Sequence, residues 1–385
     1  MSNSNDLHTL INMNNVDRIK IEASGLEDVV AATTRLSDVD GEAGRLVLAG
    51  RPVEELAGRL TFEDAVFLLW NGREPSPDER ERVRAGLGEA REAAFERLAD
   101  LGDALALPDA MDALRAGAGH LVEGSTAEPG LDGALRVIGP LAVVAAAWAR
   151  QPRPERPDPG ASHAADYLRL ATGRAPSPAE VAALDAYLVT VIDHGMNAST
   201  FAARVVASTG SDLVSAVVAA IGALKGKLHG GAPGPVLDML DEIGAASEAR
   251  PWLERALARG ERVMGMGHRV YRVRDPRAFV LERAIARLEQ AKGTAANGGR
   301  LALARAVERE AETLLAARHP ERALRANVEF YTAVLLEALG LPRTLFTATF
   351  AVSRAAGWCA HVAEQRAVGR LIRPRSRFVA SPPLR

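Results

Sequence analysis

Three of the eight histidines in this 385-residue chain lie in glycine-bearing stretches. His194 is in "VIDHGMNAST", His229 in "LKGKLHGGAPG" and His268 in "VMGMGHRVY", where Gly265 and Gly267 precede it. Glycine accepts a positive φ and lets the backbone approach a ligand closely. A histidine on such a loop can be presented to a cleft and changes charge near neutral pH. Each also has a plainer reading, as a polar residue at a helix end favoured by the dipole. Three together shift the balance toward a shared site. The carboxylate that stands out is Glu329 in "NVEFYT", between Val328, Phe330 and Tyr331 and ahead of Val334, Leu335 and Leu336. A carboxylate in apolar company is costly unless it is paired or used. Glu329 is therefore either a charge at a helix start or a catalytic base.

The arginines form a second set. In "RDPRAF", Arg277 falls in the first turn of a helix capped by Asp275. A cation there opposes the helix dipole, so a bound anion would account for it. Arg354 lies mid-helix in "FAVSRAAGWCAHV" and needs an anionic partner, either an internal carboxylate or a ligand. Arg373 in "RLIRPRSRF" precedes Pro374, which biases it toward an extended backbone. Composition alone makes that stretch a solvated basic tail. His194, His229, His268 and Glu329 could in principle supply three nitrogens and one oxygen to a metal. The short spacing that marks such sites is missing, so no metal is expected. No G-x-S-x-G elbow or strand-linked G-x-G-x-x-G occurs, which leaves a serine hydrolase and a dinucleotide site unsupported.

These side chains must be carried mainly by helices. Ala, Leu, Arg and Glu dominate, and helix starts are legible. Thr61 with Asp64 forms a capping pattern, with Gly72 as a stop. Ser76 with Pro77, and Ser177 with Pro178 and Glu180, repeat the device. Val214, Val217, Val218, Ile221 and Leu224 give a core-facing helix over about 211–225. Asp275 and Pro276 open another helix, and Pro342 precedes a long one. The best strand candidate is "GRLVLAG" at 44–50. The stretches "QPRPERPDPG" (151–160) and "KGTAANGGR" (292–300) read as connections.

Hydrophobic residues make up 48% and charged residues 25%, with formal net charge −2. This balance gives no reason to expect a nucleic-acid or membrane partner. A single cysteine, Cys359, excludes an internal disulfide and fits a reducing cytoplasm. No segment is expected to be apolar for long enough to span a bilayer. Residues 1–23 read as a polar N-terminal tail.

The ordered motifs "DHGMNASTFAAR", "GALKGKLHGGA", "MGHRVYRVRDPRA", "NVEFYTA", "SRAAGWCAHVAEQ" and "LIRPR" resemble those of citrate synthases. "GLEDVVAATTRLSDVDG" and "TFEDAVFLLWNGREP" are similar to that family too, so the likeness runs from about residue 24 to the C-terminus. The resemblance implies an all-α, two-domain homodimer. Residues 24–221 and 329–385 would form the large domain, and 222–328 a smaller mobile one. It implies condensation of acetyl-CoA with oxaloacetate, then thioester hydrolysis, without a cofactor. A 2-methylcitrate synthase using propionyl-CoA shares the motifs.

By the same resemblance His229, His268 and Glu329 are catalytic, and His194, Arg277, Arg354 and Arg373 hold oxaloacetate. Arg373 would come from the partner subunit. Ser199 and Asn197 support the first catalytic histidine. Gly265, Met266, Gly267, Arg272 and Arg274 would face CoA, although Arg272 and Arg274 read equally well as solvated charges. Two positions depart from the family pattern: Glu329 replaces the usual aspartate, and Pro233 stands where many members have asparagine. The extra methylene of Glu329 moves its carboxylate by roughly 1 Å, enough to lower the rate strongly unless the backbone compensates.

Overall fold

The computed structural model describes residues 26, 29–122, 130–230, 233–268, 270–294, 299–376 and 378. The polar tail expected at 1–23 lies outside the described residues, as do Gly231, Ala232 and the Pro233 side chain. The chain divides into two compact units, Met1–Thr33 and Thr34–Arg385. The second carries the chemistry-bearing residues.

It opens with a small antiparallel sheet in the order β1-β2-β3: β1 Ser37–Asp40, β2 Arg45–Leu48 and β3 Arg51–Pro52. Ser37 pairs with Leu48 and Asp40 with Arg45. The expected strand is β2; its neighbours are too short for alternation to show in sequence. Helices follow: α1 Val53–Leu56, α2 Phe62–Asn71, α3 Pro77–Glu96, α4 Ala110–Gly119 and α5 Leu131–Ala149. Next come α6 His163–Thr172, α7 Pro178–Val191, α8 Ala198–Ala207, α9 Leu213–Leu224 and α10 Pro233–Ile243. The last five are α11 Ala249–Ala258, α12 Pro276–Lys292, α13 Arg300–Arg318, α14 Val328–Ala338 and α15 Phe346–Val368.

The sequence signals act as expected at several ends. Thr61, Ser76 and Ser177 each form a full capping box, so two otherwise unpaired backbone donors are satisfied at each start. Gly72 ends α2 in the left-handed conformation. The long helix after Pro342 begins with one 3-10 turn, Arg343–Leu345, before α15.

One expectation is corrected. Helix α5 has 19 residues and a mean hydropathy of 1.5, long and apolar enough to cross a membrane by those measures. It packs against α3, α4, α6 and α15, and 72% of its apolar window is buried inside the fold. Its apolar character on every side reflects a core position rather than a bilayer.

Helix α15 is the second core rod, buried almost throughout from Phe346 to Val362. Two of its polar groups pair with neighbouring helices: Thr349 bonds Tyr167 at 2.7 Å, and Ser353 donates to the Leu188 carbonyl at 2.6 Å. Gly357 lets α15 press on the end of α7, because a Cβ there would lie 2.4 Å from the Ile192 carbonyl oxygen. Arg354 reaches the Val191 carbonyl and Trp358 the Ser199 hydroxyl, on either side of the loop that carries His194.

Candidate active site

The loop following α7 presents His194, and its neighbour Gly195 takes φ +59°. Asn197 then caps α8, its Oδ1 accepting from the amides of Ser199 and Thr200. Buried Ser199 sits at a junction. Its hydroxyl oxygen accepts from Trp358 Nε1 at 3.1 Å, and lies 2.7 Å from Asn197 Oδ1 and 2.8 Å from His229 Nε2. His229 itself stands in the tight turn after α9, its amide donating to the Gly226 carbonyl. Burial, then the field of Arg354, lowers its pKa to about 4.

His268 follows a strap made by Gly265, Met266 and Gly267. Gly265 and Gly267 have φ of +74° and +87°. A Cβ on Gly265 would meet Phe330 side-chain atoms at 2.8 Å, so this position needs glycine for both backbone and space. The strap is stitched to the segment entering α14. Gly267 N–H donates to Arg325 O, Asn327 N–H to Gly265 O, and Asn327 Nδ2 to Gly267 O. The loop of His268 is therefore hydrogen-bonded to the segment that leads into the helix of Glu329.

Proton placement on His268 follows from its partners. Nδ1 accepts the amides of Val270 and Tyr271, both at 3.0 Å, which outweigh the longer 3.4 Å approach of Arg277 Nη2 to Nε2, so the neutral ring carries its hydrogen on Nε2. Burial and Arg277 push its pKa down to about 4, which keeps it neutral at pH 7. His268 thus offers a neutral N–H donor. His194 packs edge-on to it at 5.8 Å between centroids and bonds the Tyr271 hydroxyl at 3.1 Å. Burial, then Arg277 and Arg354, holds His194 well below its usual range.

Two buried cations face this group. Arg277 is gripped by Asp275, with Nε on Oδ1 at 3.0 Å and Nη2 on Oδ2 at 2.7 Å. The helix-start cation therefore has a protein counterion. Asp275 also accepts the amides of Arg277 and Val328, tying α12 to α14. Arg354 is different: Nε donates to the Val191 carbonyl at 2.7 Å, but Nη2 is buried without a hydrogen-bond partner. Burial lowers its pKa to about 10. Its field reaches His229, His194 and Tyr187.

Glu329 occupies the first turn of α14, and Asn327 caps its amide. Among the described residues nothing hydrogen-bonds its carboxylate. Burial raises its pKa to about 7, against the opposing pull of Arg277. A base poised at neutrality, neutral imidazole donors and an under-satisfied guanidinium can together abstract a carbon-bound proton and hold an anionic co-substrate.

The remaining sequence candidates fall elsewhere. Arg274 is held by Glu308 at 2.6 and 3.0 Å and by Glu282 at 2.8 Å, so its donors are committed within the fold. Arg272 is exposed, with Glu42 at 4.0 Å. Arg373 is exposed after Gly369 and has no ion pair among the described residues. No group of three or more His, Cys, Asp or Glu is placed to hold a metal among the described residues. Sequence reasoning missed Tyr271, Trp358 and Tyr187. Tyr271 lies three residues after His268, and Trp358 one turn after Arg354, so helical spacing could have flagged the latter. Tyr187, with a buried unpaired hydroxyl, looked like an ordinary core aromatic.

Comparison with known proteins gives the family. The family profile described as "Citrate synthase, C-terminal domain" matches residues 25–375. A citrate synthase of Haloferax volcanii is 39% identical, covering 94% of this chain and 96% of its own. A 2-methylcitrate synthase of Mycobacterium tuberculosis is 37% identical, covering 92% and 89%. A solved citrate synthase of Pyrobaculum aerophilum superposes with a TM-score of 0.80 at 35% identity, covering 94% and 93%. That of Thermoplasma acidophilum, solved as a ternary complex with carboxymethyl coenzyme A and oxaloacetate, gives 0.81 at 28%, covering 94% and 97%.

Proposed function

The chain belongs to the citrate synthase family of acyltransferases, and we propose that it condenses acetyl-CoA with oxaloacetate to give citrate and CoA. The observation that carries this is the buried, unpartnered Nη2 of Arg354, whose field reaches His194 and His229. An unpaired buried cation donor costs stability, and a substrate carboxylate supplies its missing partner. Arg277 and His194 complete the oxaloacetate site within the chain, and Arg373 of the partner subunit completes it across a homodimer.

Glu329 removes a proton from the acyl α-carbon, and His229 donates a hydrogen bond to the enolate oxygen as it forms. Ser199 orients His229: its amide donates to Nε2 at 3.4 Å, and with Nε2 accepting, the ring proton lies on Nδ1 as the donor. The enolate carbon attacks the oxaloacetate ketone, whose oxygen accepts a hydrogen bond from His268 Nε2–H as its charge develops. The proton removed by Glu329 is balanced by the one this oxygen takes up, which restores the Glu329 carboxylate. Water then hydrolyses the citryl-CoA thioester and releases CoA. A neutral donor matches an enolate oxygen without a buried positive charge having to form first.

Residues 222–328 form the mobile small domain, closing on 24–221 and 329–385 to exclude water. Arg272 and the Gly265–Gly267 strap meet CoA, whereas Arg274 braces α12 against α13. No cofactor or metal takes part, and the setting is cytoplasmic. The test is CoA release with oxaloacetate across an acyl-CoA panel, with and without chelator. Faster turnover of acetyl-CoA, unaffected by chelator, is expected. A preference for propionyl-CoA makes the protein a 2-methylcitrate synthase, and no release with any short acyl-CoA overturns the proposal.

A further inference from the structure

A buried polar relay lies behind the site and takes no part in the steps above. His361 on α15 is fully buried, as is Arg204 on α8. Arg204 Nε donates to His361 Nδ1 at 3.1 Å, and His361 Nε2 faces Asp193 Oδ1 and Oδ2 at 3.1 and 3.2 Å. An arginine can only donate, so Nδ1 accepts and the ring hydrogen sits on Nε2, pointing at Asp193. The other Asp193 contact is the Ser37 hydroxyl on β1, whose oxygen accepts the Gly195 amide at 2.8 Å. Every proton in the series from Arg204 through His361 and Asp193 to Ser37 and Gly195 has one direction. Burial opposes the Asp193 charge, but the hydrogen bonds from His361 and Ser37 and the field of Arg354 hold its carboxyl below the usual range.

His194 is thus clamped on both sides, by the side chain of Asp193 before it and the amide of Gly195 after it. The Arg204 guanidinium also reaches the C-terminal tail. Nη1 donates to Gln365 Oε1 at 3.1 Å, and Gln365 Nε2 donates to the Arg370 carbonyl at 3.0 Å. Arg370 begins the segment that carries Arg373. Nη2 is taken by Glu364, which also receives the Arg35 amide.

We infer that Arg204 and His361 are positioning residues for oxaloacetate, fixing the loop of His194 and the foot of the tail that bears Arg373. This rests on the proposed function. A satisfied buried network rigidifies what it touches, and a site loosened behind its contact residues loses affinity before it loses fold. The series bears mainly on oxaloacetate: it holds the loop of His194 and the tail of Arg373, and its one link toward His229 is the Gly195 carbonyl, which accepts from Asn197.

The test is calorimetric titration of oxaloacetate, with steady-state kinetics and thermal melting, on His361→Leu, His361→Gln and Ser37→Ala. Glutamine offers one acceptor to Arg204 and one donor to Asp193, as the native tautomer does. His361→Leu is expected to weaken oxaloacetate binding roughly tenfold or more, and Ser37→Ala about fivefold. His361→Gln should stay within about threefold, and the KM for acyl-CoA within about twofold in every variant. Unchanged oxaloacetate binding in Ser37→Ala, or equal rises in both KM values, overturns the inference. Should His361→Leu fail to fold, Ser37→Ala and His361→Gln decide it. Absence of CoA release by the unsubstituted protein would strike the proposed function instead, and oxaloacetate titration still reads the relay.

Discussion

Protonation of Glu329 gives a quantitative handle on the chemistry. Burial sets its pKa at about 7, whereas His229 and His268 lie at about 4 and stay neutral above pH 5. A base must be ionised to act. Glu329 is about one-tenth ionised at pH 6 and about nine-tenths ionised at pH 8. The kcat/KM for the acyl-CoA, at saturating oxaloacetate, should therefore rise about tenfold across that interval and level off above it. The assay is initial rates of thiol release in buffers of constant ionic strength from pH 5 to 9. Glu329→Gln should lower kcat by a factor of about a hundred to ten thousand and abolish the limb near 7. A rise centred near pH 4 to 5, or a limb near 7 that survives in Glu329→Gln, would refute the assignment of Glu329 as the base.

Other outcomes follow from the same contacts. Because the folded pKa of Glu329 is raised, the native state holds an extra proton between about pH 4.5 and 7 and loses stability as pH rises through that window. Melting curves should therefore show Glu329→Gln gaining stability relative to the unsubstituted protein between pH 5 and 8. Arg354→Met should weaken oxaloacetate binding about a hundredfold, yet leave the melting temperature unchanged or higher, since the guanidinium is buried with an unpartnered Nη2. A large loss of stability would instead show that its bond to the Val191 carbonyl holds α15 in place. Arg274→Ala should destabilise the fold by about 1 kcal/mol, since Glu308 is left with Tyr331 and Glu282 with Arg305 as partners. Arg272→Ala should leave stability alone and raise the KM for acyl-CoA in a salt-dependent way. The reverse pattern in melting and kinetics would exchange their roles.

Local rules were readable where they act locally. Capping boxes at Thr61, Ser76 and Ser177 and the stop at Gly72 depend on neighbours within a few residues. The glycines before His268 signalled a special loop, but not that Phe330 would lie against Gly265. Sequence left Arg354 open between an internal ion pair and a ligand. Its partner turned out to be the Val191 carbonyl, brought close by Gly357, a contact across 163 residues. Arg277 at the helix start calls for an anion, and its cap Asp275 already supplies one through its side chain, a contact that the cap signal alone does not show. Helix α5 passed as too short an apolar run because core burial on every side and membrane burial leave the same composition. The relay through His361 was invisible because its members come from β1, α8, α15 and the loop after α7, joined only by tertiary packing.

The most direct test of the central claim is oxaloacetate-dependent release of CoA from acetyl-CoA by the purified protein, with the organic product identified by mass. The expected result is one citrate for each CoA released, and no release when oxaloacetate is withheld. CoA release that does not need oxaloacetate, or none under any condition, would contradict it.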